Sequence, residues 1–304
     1  MNEVTKYLTE EVVIDYGDGL IPRREAMRRL ALLGVGAAVA EPLLAACDAA
    51  RDTDRNAGGA TPSAPASGGQ SPAGPSAQPA EMTTFAGPQG RTLMAAWAAA
   101  ATAKGSVLVI HENRGLTDHI RSVAGRFAAS GFSTLAVDLL SEEGGTAKFS
   151  DSAQATAALG AAPPARFVED MKASVGELQR RVPGSKVGAI GFCFGGGQVW
   201  SLLAAGEPRL YAAAPFYGPL PAGADFAGSS NAKVLAVYAE RDQRVNASRD
   251  EAEAALKKAG LTHEIVTFPG VDHAFFNDTG GRYDAPTAAT AYQRVIDWFT
   301  QHLA

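Results

Sequence analysis

Cysteine is scarce in this 304-residue chain. Only Cys47 and Cys193 occur, too few for a disulfide framework or for a Cys-rich zinc or iron–sulfur site. Basic charge is scarce too: 27 Lys and Arg stand against 32 Asp and Glu, a net charge of −5. That balance excludes a partner that needs a basic face, nucleic acid above all. The apolar run over 30–40 is too short to span a bilayer, which takes about 20 residues. There is no internal repeat, no Gly-Lys-Ser/Thr behind the glycine-rich run, no dinucleotide fingerprint and no evident metal-ligand cluster, so no cofactor is expected. The length suits one large or two small domains with ample core.

What is present begins with an unusual front. Arg23-Arg24-Glu25-Ala26-Met27-Arg28-Arg29 precedes the apolar run, and Leu44-Ala45-Ala46-Cys47 closes it. Charged, apolar, then small is the layout of an export signal, and its ending resembles a bacterial lipobox in which Cys47 becomes lipidated. The paired arginines Arg23-Arg24 suit a twin-arginine route, which exports a folded domain. The expectation is a signal over 1–47 and a protein that is periplasmic or on the cell surface, membrane-attached through Cys47. The plainer alternative is an uncleaved anchor or a buried helix with Cys47 as a core thiol. From 48 to 80 the chain is rich in Gly, Ala, Ser and Pro, with no aromatic or large aliphatic residue. Such a stretch cannot offset its own ordering entropy and is expected to be a disordered tether.

The remainder, 81–304, alternates apolar strands with helical patterns. Strands are expected at 106–110, 133–137, 186–190, 211–216, 233–238 and 264–268. Helices are expected at 118–130, 164–181, 194–204, 247–259 and from 286 to about 302. This alternation predicts an α/β fold with a mostly parallel sheet covered on both faces, and the runs at 83–85 and 93–98 suit an antiparallel edge hairpin.

The most informative stretch is Gly191-Phe192-Cys193-Phe194-Gly195, the Gly-x-nucleophile-x-Gly form of a nucleophile elbow with Cys in the nucleophile's place. A sharp strand-to-helix turn forces strained dihedrals on the nucleophile, so its neighbours two away must lack side chains. The following helix aims N–H groups at the sulfur and favours thiolate. An elbow nucleophile needs an acid and then a histidine at later strand ends. Asp242 follows strand 233–238 and His273 follows strand 264–268, giving the order Cys193, Asp242, His273. His111, His119, His263 and His302 are scattered over other elements and less well placed. Each member has a plain reading alone: Asp242 as a helix cap, His273 as the partner of Asp272.

Residues from about 82 to 303 resemble the dienelactone hydrolase (carboxymethylenebutenolidase) family of the α/β-hydrolase fold. The resemblance rests on His111-Glu112-Asn113-Arg114-Gly115-Leu116, Val137-Asp138-Leu139-Leu140, the cysteine elbow, the Asp242 loop and Asp272-His273-Ala274-Phe275. It implies that Glu112 lies beside Cys193, keeps it as a protected thiol and takes its proton when substrate arrives; carboxylate and thiolate side by side favour sharing one proton. It further implies thioester catalysis on a lactone or activated ester, with the oxyanion held by the backbone N–H groups of Phe194 and Asn113. The family's carboxylate-binding arginines are not matched: Leu139–Gly145 contains no Arg, and the position four beyond the catalytic His is Asn277. Arg114 and Arg282 are the candidate substitutes, each equally readable as a solvated surface charge. Two other functions stay open, a thiol redox protein acting through Cys193 and a catalytically silent surface-binding lipoprotein.

Overall fold

The fully buried strands form the centre of one eight-stranded sheet. The computed structural model describes residues 1–56 and 71–304. In chain order, helices α1 (Glu3–Gly17), α2 (Arg23–Leu32) and α3 (Ala37–Asn56) come first. They are followed by β1 (Glu81–Ala86), β2 (Thr92–Ala98), β3 (Gly105–Ile110), α4 (Asp118–Ala129) and β4 (Phe132–Asp138). The middle holds α5 (Ser152–Ala161), α6 (Pro164–Arg181), β5 (Val187–Phe192), α7 (Phe194–Ala204) and β6 (Leu210–Phe216). Last come β7 (Lys233–Ala239), α8 (Gln243–Asn246), α9 (Arg249–Lys258), β8 (His263–Phe268) and α10 (Ala285–Leu303). The chain divides into two units. One comprises α1, α2, α3 and residues 149–162; the other holds residues 71–148 and 163–304.

In the larger unit the sheet order is β1-β2-β4-β3-β5-β6-β7-β8. The β1–β2 and β2–β4 pairs are antiparallel and the rest are parallel, so the expected edge hairpin is present. β3, β4 and β5 are buried along their whole length, which is why they read as unbroken apolar runs rather than as alternations. Helices α4, α6, α7 and α10 pack on the sheet. The chain leaves β3 for β4 on one side and returns to β5 on the other. That reversal is a topological switch point, and open α/β sheets bind ligands at the carboxyl ends of the strands there.

The helix expected over 247–259 is present as α9; the short α8 ahead of it was not anticipated, and Asp242 caps it through Val245 N at 3.2 Å. One expectation changes here. The tether expected over 48–80 is ordered at both ends: α3 continues to Asn56, and residues 71–80 are tied to the larger unit. Gln78 N donates to Gly125 O at 3.1 Å and Tyr283 donates to Ser71 O at 2.7 Å. The tether's centre, residues 57–70, lies outside the described residues.

The smaller unit packs α1 against α2, α3 and α5, and α2 against α3 and α5. Leu8, Leu30, Leu44 and Leu159 are fully buried in it. α5 was not anticipated; Asp151 caps it through Ala153 N at 2.9 Å, and its Gly160 carbonyl accepts from Thr5 Oγ1 at 2.7 Å and Asn2 Nδ2 at 3.0 Å. Cys47 lies inside α3, half-buried. No helix among the described residues is long and apolar enough to cross a membrane.

Candidate active site

Cys193 stands between β5 and α7 with φ +57° and ψ −119°, a conformation that side-chain-bearing residues rarely adopt. The neighbouring glycines explain how the chain tolerates it. A Cβ on Gly191 would sit 2.1 Å from Gly195 O, one on Gly195 2.4 Å from Ile110 O, and one on Gly196 2.3 Å from Phe216 O. The start of α7 is therefore wedged against the ends of β3 and β6, with Cys193 N donating to Phe216 O at 3.1 Å. Cys193 is 4% exposed.

The acid and the histidine meet as the strand order required. His273 Nδ1 donates to Asp242 Oδ2 at 2.5 Å, while Asp242 Oδ1 receives the Val245 N–H. One carboxylate thus serves both as the helix cap and as the partner of His273, with one oxygen for each duty. Burial alone would raise the Asp242 pKa, but the adjoining His273 and the more distant Arg244 hold it below the ordinary value. A ring nitrogen of His273 and Cys193 Sγ lie within 4.8 Å of each other. Asp272, the other candidate partner, instead faces Arg241 at 3.4 Å.

Glu112 follows β3 on a loop held at several points. His111 Nε2 accepts from Leu139 N at 3.1 Å, so Nδ1 carries the proton and donates to Glu112 O at 2.6 Å. Burial lowers the His111 pKa, consistent with this neutral tautomer. Leu116 N donates to Thr146 Oγ1 at 2.8 Å. The Glu112 side chain is buried; Asn277 Nδ2 donates to its Oε2 at 2.5 Å, and its Oε1 has no hydrogen-bond partner. Asn277, the position where the sequence departs from the family pattern, is therefore the residue that grips Glu112. Asn113 is half-buried and Arg114 exposed on the same loop; Arg282 is half-buried on the loop before α10.

Tyr217 was missed. It sits just after β6 with φ +34°, is 1% exposed, and presents its ring edge-on to His273 with centroids 5.0 Å apart. Burial pushes its phenol pKa well up, and the Glu112 and Cys193 charges push it the same way. Its position at a strand's carboxyl end was the available signal. Of the four non-glycine residues with positive φ among the described residues, Cys193, Tyr217 and Ala274 all lie here, so backbone strain gathers at the site.

A strained strand-to-helix elbow at the switch point of a mostly parallel sheet, with an Asp–His pair on later strand ends, defines an α/β-hydrolase. The sequence profile of the Dienelactone hydrolase family matches residues 93–303, and the chain belongs to that family. It is a carboxylic ester hydrolase. Proteins carrying the name carboxymethylenebutenolidase are similar to it. One from Methylorubrum extorquens is 30% identical over 210 residues, covering 65% of this chain and 72% of its own. One from Escherichia coli is 31% identical over 209 residues, covering 64% and 76%. Among solved structures, a protein described as a dienelactone hydrolase from Klebsiella pneumoniae superposes with a TM-score of 0.65 at 29% identity, over 73% of this chain and 98% of its own. A dienelactone hydrolase-like promiscuous phosphotriesterase from metagenomic libraries shares the fold at a TM-score of 0.65 and 24% identity, over 76% of this chain and 100% of its own.

Proposed function

We propose that this protein cleaves a lactone or activated ester through a thioester on Cys193, with His273 and Asp242 completing a triad. The observation that carries the reading is the nearness of Cys193 Sγ to the imidazole whose Nδ1 is bound to Asp242. Glu112 accepts the thiol proton as substrate enters and passes it to Nε2 of His273, so that the thiolate pairs with the His273 imidazolium and Glu112 returns to carboxylate. The thiolate attacks the carbonyl carbon, and the backbone N–H groups of Phe194 and Asn113 receive the oxyanion. As the C–O bond breaks, the leaving oxygen takes the His273 proton. Neutral His273 then removes a proton from water, whose oxygen attacks the thioester and releases the acid and the thiolate. Thiolate is a better leaving group than an ordinary alkoxide, so enol esters and lactones are favoured over alkyl esters and amides. Arg114 and Arg282 are assigned to substrate contact as the cations on the loops that carry Glu112 and Asn277.

The test is turnover of p-nitrophenyl acetate and an enol lactone by the full chain beside Cys193→Ala. Lactone turnover that vanishes in the variant supports the reading. A folded wild type inert on both substrates, or a variant that stays active, overturns it; peroxide consumption by the wild type would then favour thiol redox chemistry.

We further propose export and lipidation at Cys47, supported by the charged, apolar and small-residue order of residues 23–47. Cleavage before Cys47 would remove α1 and α2 and leave α5 without those partners. Incorporation of labelled palmitate in a bacterial host, abolished by Cys47→Ser, is the expected result; an unlabelled, full-length chain overturns it.

A further inference from the structure

The loop that carries His273 and Asn277 continues into Asp278, whose carboxylate is the centre of a buried cluster. His119 Nδ1 donates to Asp278 Oδ1 at 2.7 Å, and Arg126 Nη2 pairs with Oδ2 at 3.2 Å. Arg126 is 1% exposed, and its Nη1 donates to the carbonyl of Ala73 at 2.7 Å. A buried guanidinium and a buried carboxylate each need the other, because either alone would be an uncompensated charge. Ala73 belongs to residues 71–80, the ordered end of the expected tether. That segment is seated closely: Tyr283 donates to Ser71 O, Gln78 N donates to Gly125 O, and Gly74 lies at φ +92°, where a Cβ would come within 2.7 Å of the Tyr292 ring. On the other side of Asp278, the Asn277 amide is fixed in orientation. Its Oδ1 accepts from Thr279 N at 2.9 Å and Thr279 Oγ1 at 2.7 Å, which leaves Nδ2 to face Glu112.

We propose that residues 71–80 form a strap that, through Arg126 and Asp278, holds the loop bearing Asn277 and so sets the position of the Glu112 carboxylate. Arg126 and Asp278 are positioning residues; neither touches the reacting atoms. The inference rests on Glu112 as the acceptor of the Cys193 proton. The strap makes the peptide ahead of β1 part of the catalytic unit, although its backbone meets the site only through two side chains and one loop.

The experiment uses the full chain and reads alkylation of Cys193 by iodoacetamide against pH, resolved from Cys47 by peptide mass spectrometry, together with kcat/KM on an enol lactone. In the larger unit His273, bearing Asp242, lies by the thiol, and the Tyr217 ring stands edge-on to His273. Asn277→Ala, which frees Glu112 directly, is expected to shift the alkylation midpoint by roughly half a pH unit or more. Asp278→Asn and Gly74→Ala are expected to shift it in the same direction and to lower kcat/KM about tenfold. The double variant Asn277→Ala/Asp278→Asn is expected to go no further than Asn277→Ala, as coupled residues do. Profiles that superpose on the wild type while Tm falls would show a merely structural cluster and overturn the proposal, as would shifts that add. Should Asp278→Asn fail to fold, Tyr283→Phe, which removes the hydroxyl that holds the strap's backbone at Ser71 and Ala73, carries the same test with Gly74→Ala. Alkylation reports on the thiol whether or not an ester is turned over. A shifted profile in a protein inert on esters would thus refute the proposed function and leave the strap standing.

Discussion

Replacing Asp242 by Asn keeps the side chain's shape and removes its charge. One carboxylate oxygen now takes the His273 Nδ1 proton at 2.5 Å and the other receives the Val245 N–H at 3.2 Å. An amide cannot do both. With its oxygen toward the ring, its NH2 meets the Val245 N–H, donor against donor. With its NH2 toward the ring, Nδ1 must be the acceptor, so the imidazole proton moves to Nε2 and His273 cannot accept one from water or thiol there. Asp242 and His273 are 6% and 5% exposed, so solvent screens the pair poorly. Truncating a buried hydrogen-bonded charge pair costs about 2–5 kcal/mol, which at 1.36 kcal/mol per tenfold is a loss of roughly 30- to 5,000-fold in kcat/KM. The assay is enol-lactone hydrolysis by the full chain from pH 5 to 9, with circular dichroism to confirm folding. The depressed Asp242 pKa adds a stability arm. A carboxylate held below its unfolded value stabilises the fold above the ordinary carboxylate range and loses that contribution as pH falls through the depressed one. The variant's stability deficit is therefore expected to be complete at neutral pH and to shrink in acid. A folded variant within threefold of wild type, with an unchanged pH profile, would refute the reasoning.

Other expectations follow from the same geometry. Gly196→Ala would force a Cβ to 2.3 Å from Phe216 O and 3.0 Å from Gly218 Cα, so a destabilisation of about 3 kcal/mol or more is expected by urea unfolding; a wild-type midpoint would refute the elbow's packing against β6. Burial raises the Asp170 pKa to about 6, against the pull of Arg91 at 3.0 Å. A raised carboxylate pKa means that stability declines as pH climbs from the unfolded value toward 6. Arg91→Met removes the counter-charge and is expected to cost about 2–3 kcal/mol at pH 8 and less than about 1 kcal/mol at pH 5; equal losses of Tm at both would count against it. Asp151→Ala removes the cap of α5 and is expected to speed amide exchange in its first turn; unchanged exchange there would show that the cap carries none of the helix's stability.

The sequence by itself determined whatever depends on local pattern. β3 and β5 were legible because strands buried on both faces must be apolar throughout, and the elbow because only glycine fits where Gly191, Gly195 and Gly196 meet backbone at 2.1–2.4 Å. The order Cys193, Asp242, His273 was legible because parallel strands deliver their following loops to one edge. Composition misjudged residues 71–80. A segment of Pro, Ala, Ser and Gly has little side chain to bury, yet it is held through its carbonyls at Ser71 and Ala73 and its amide at Gln78, groups that every sequence possesses. Tertiary structure alone decided which distant side chains share a proton or a charge. Asn277 meets Glu112 across 165 positions, and Asp278 meets His119 across 159. Nothing local marks either pair, because a hydrogen bond requires only that two distant segments reach the same edge of the sheet, and the strand order sets that.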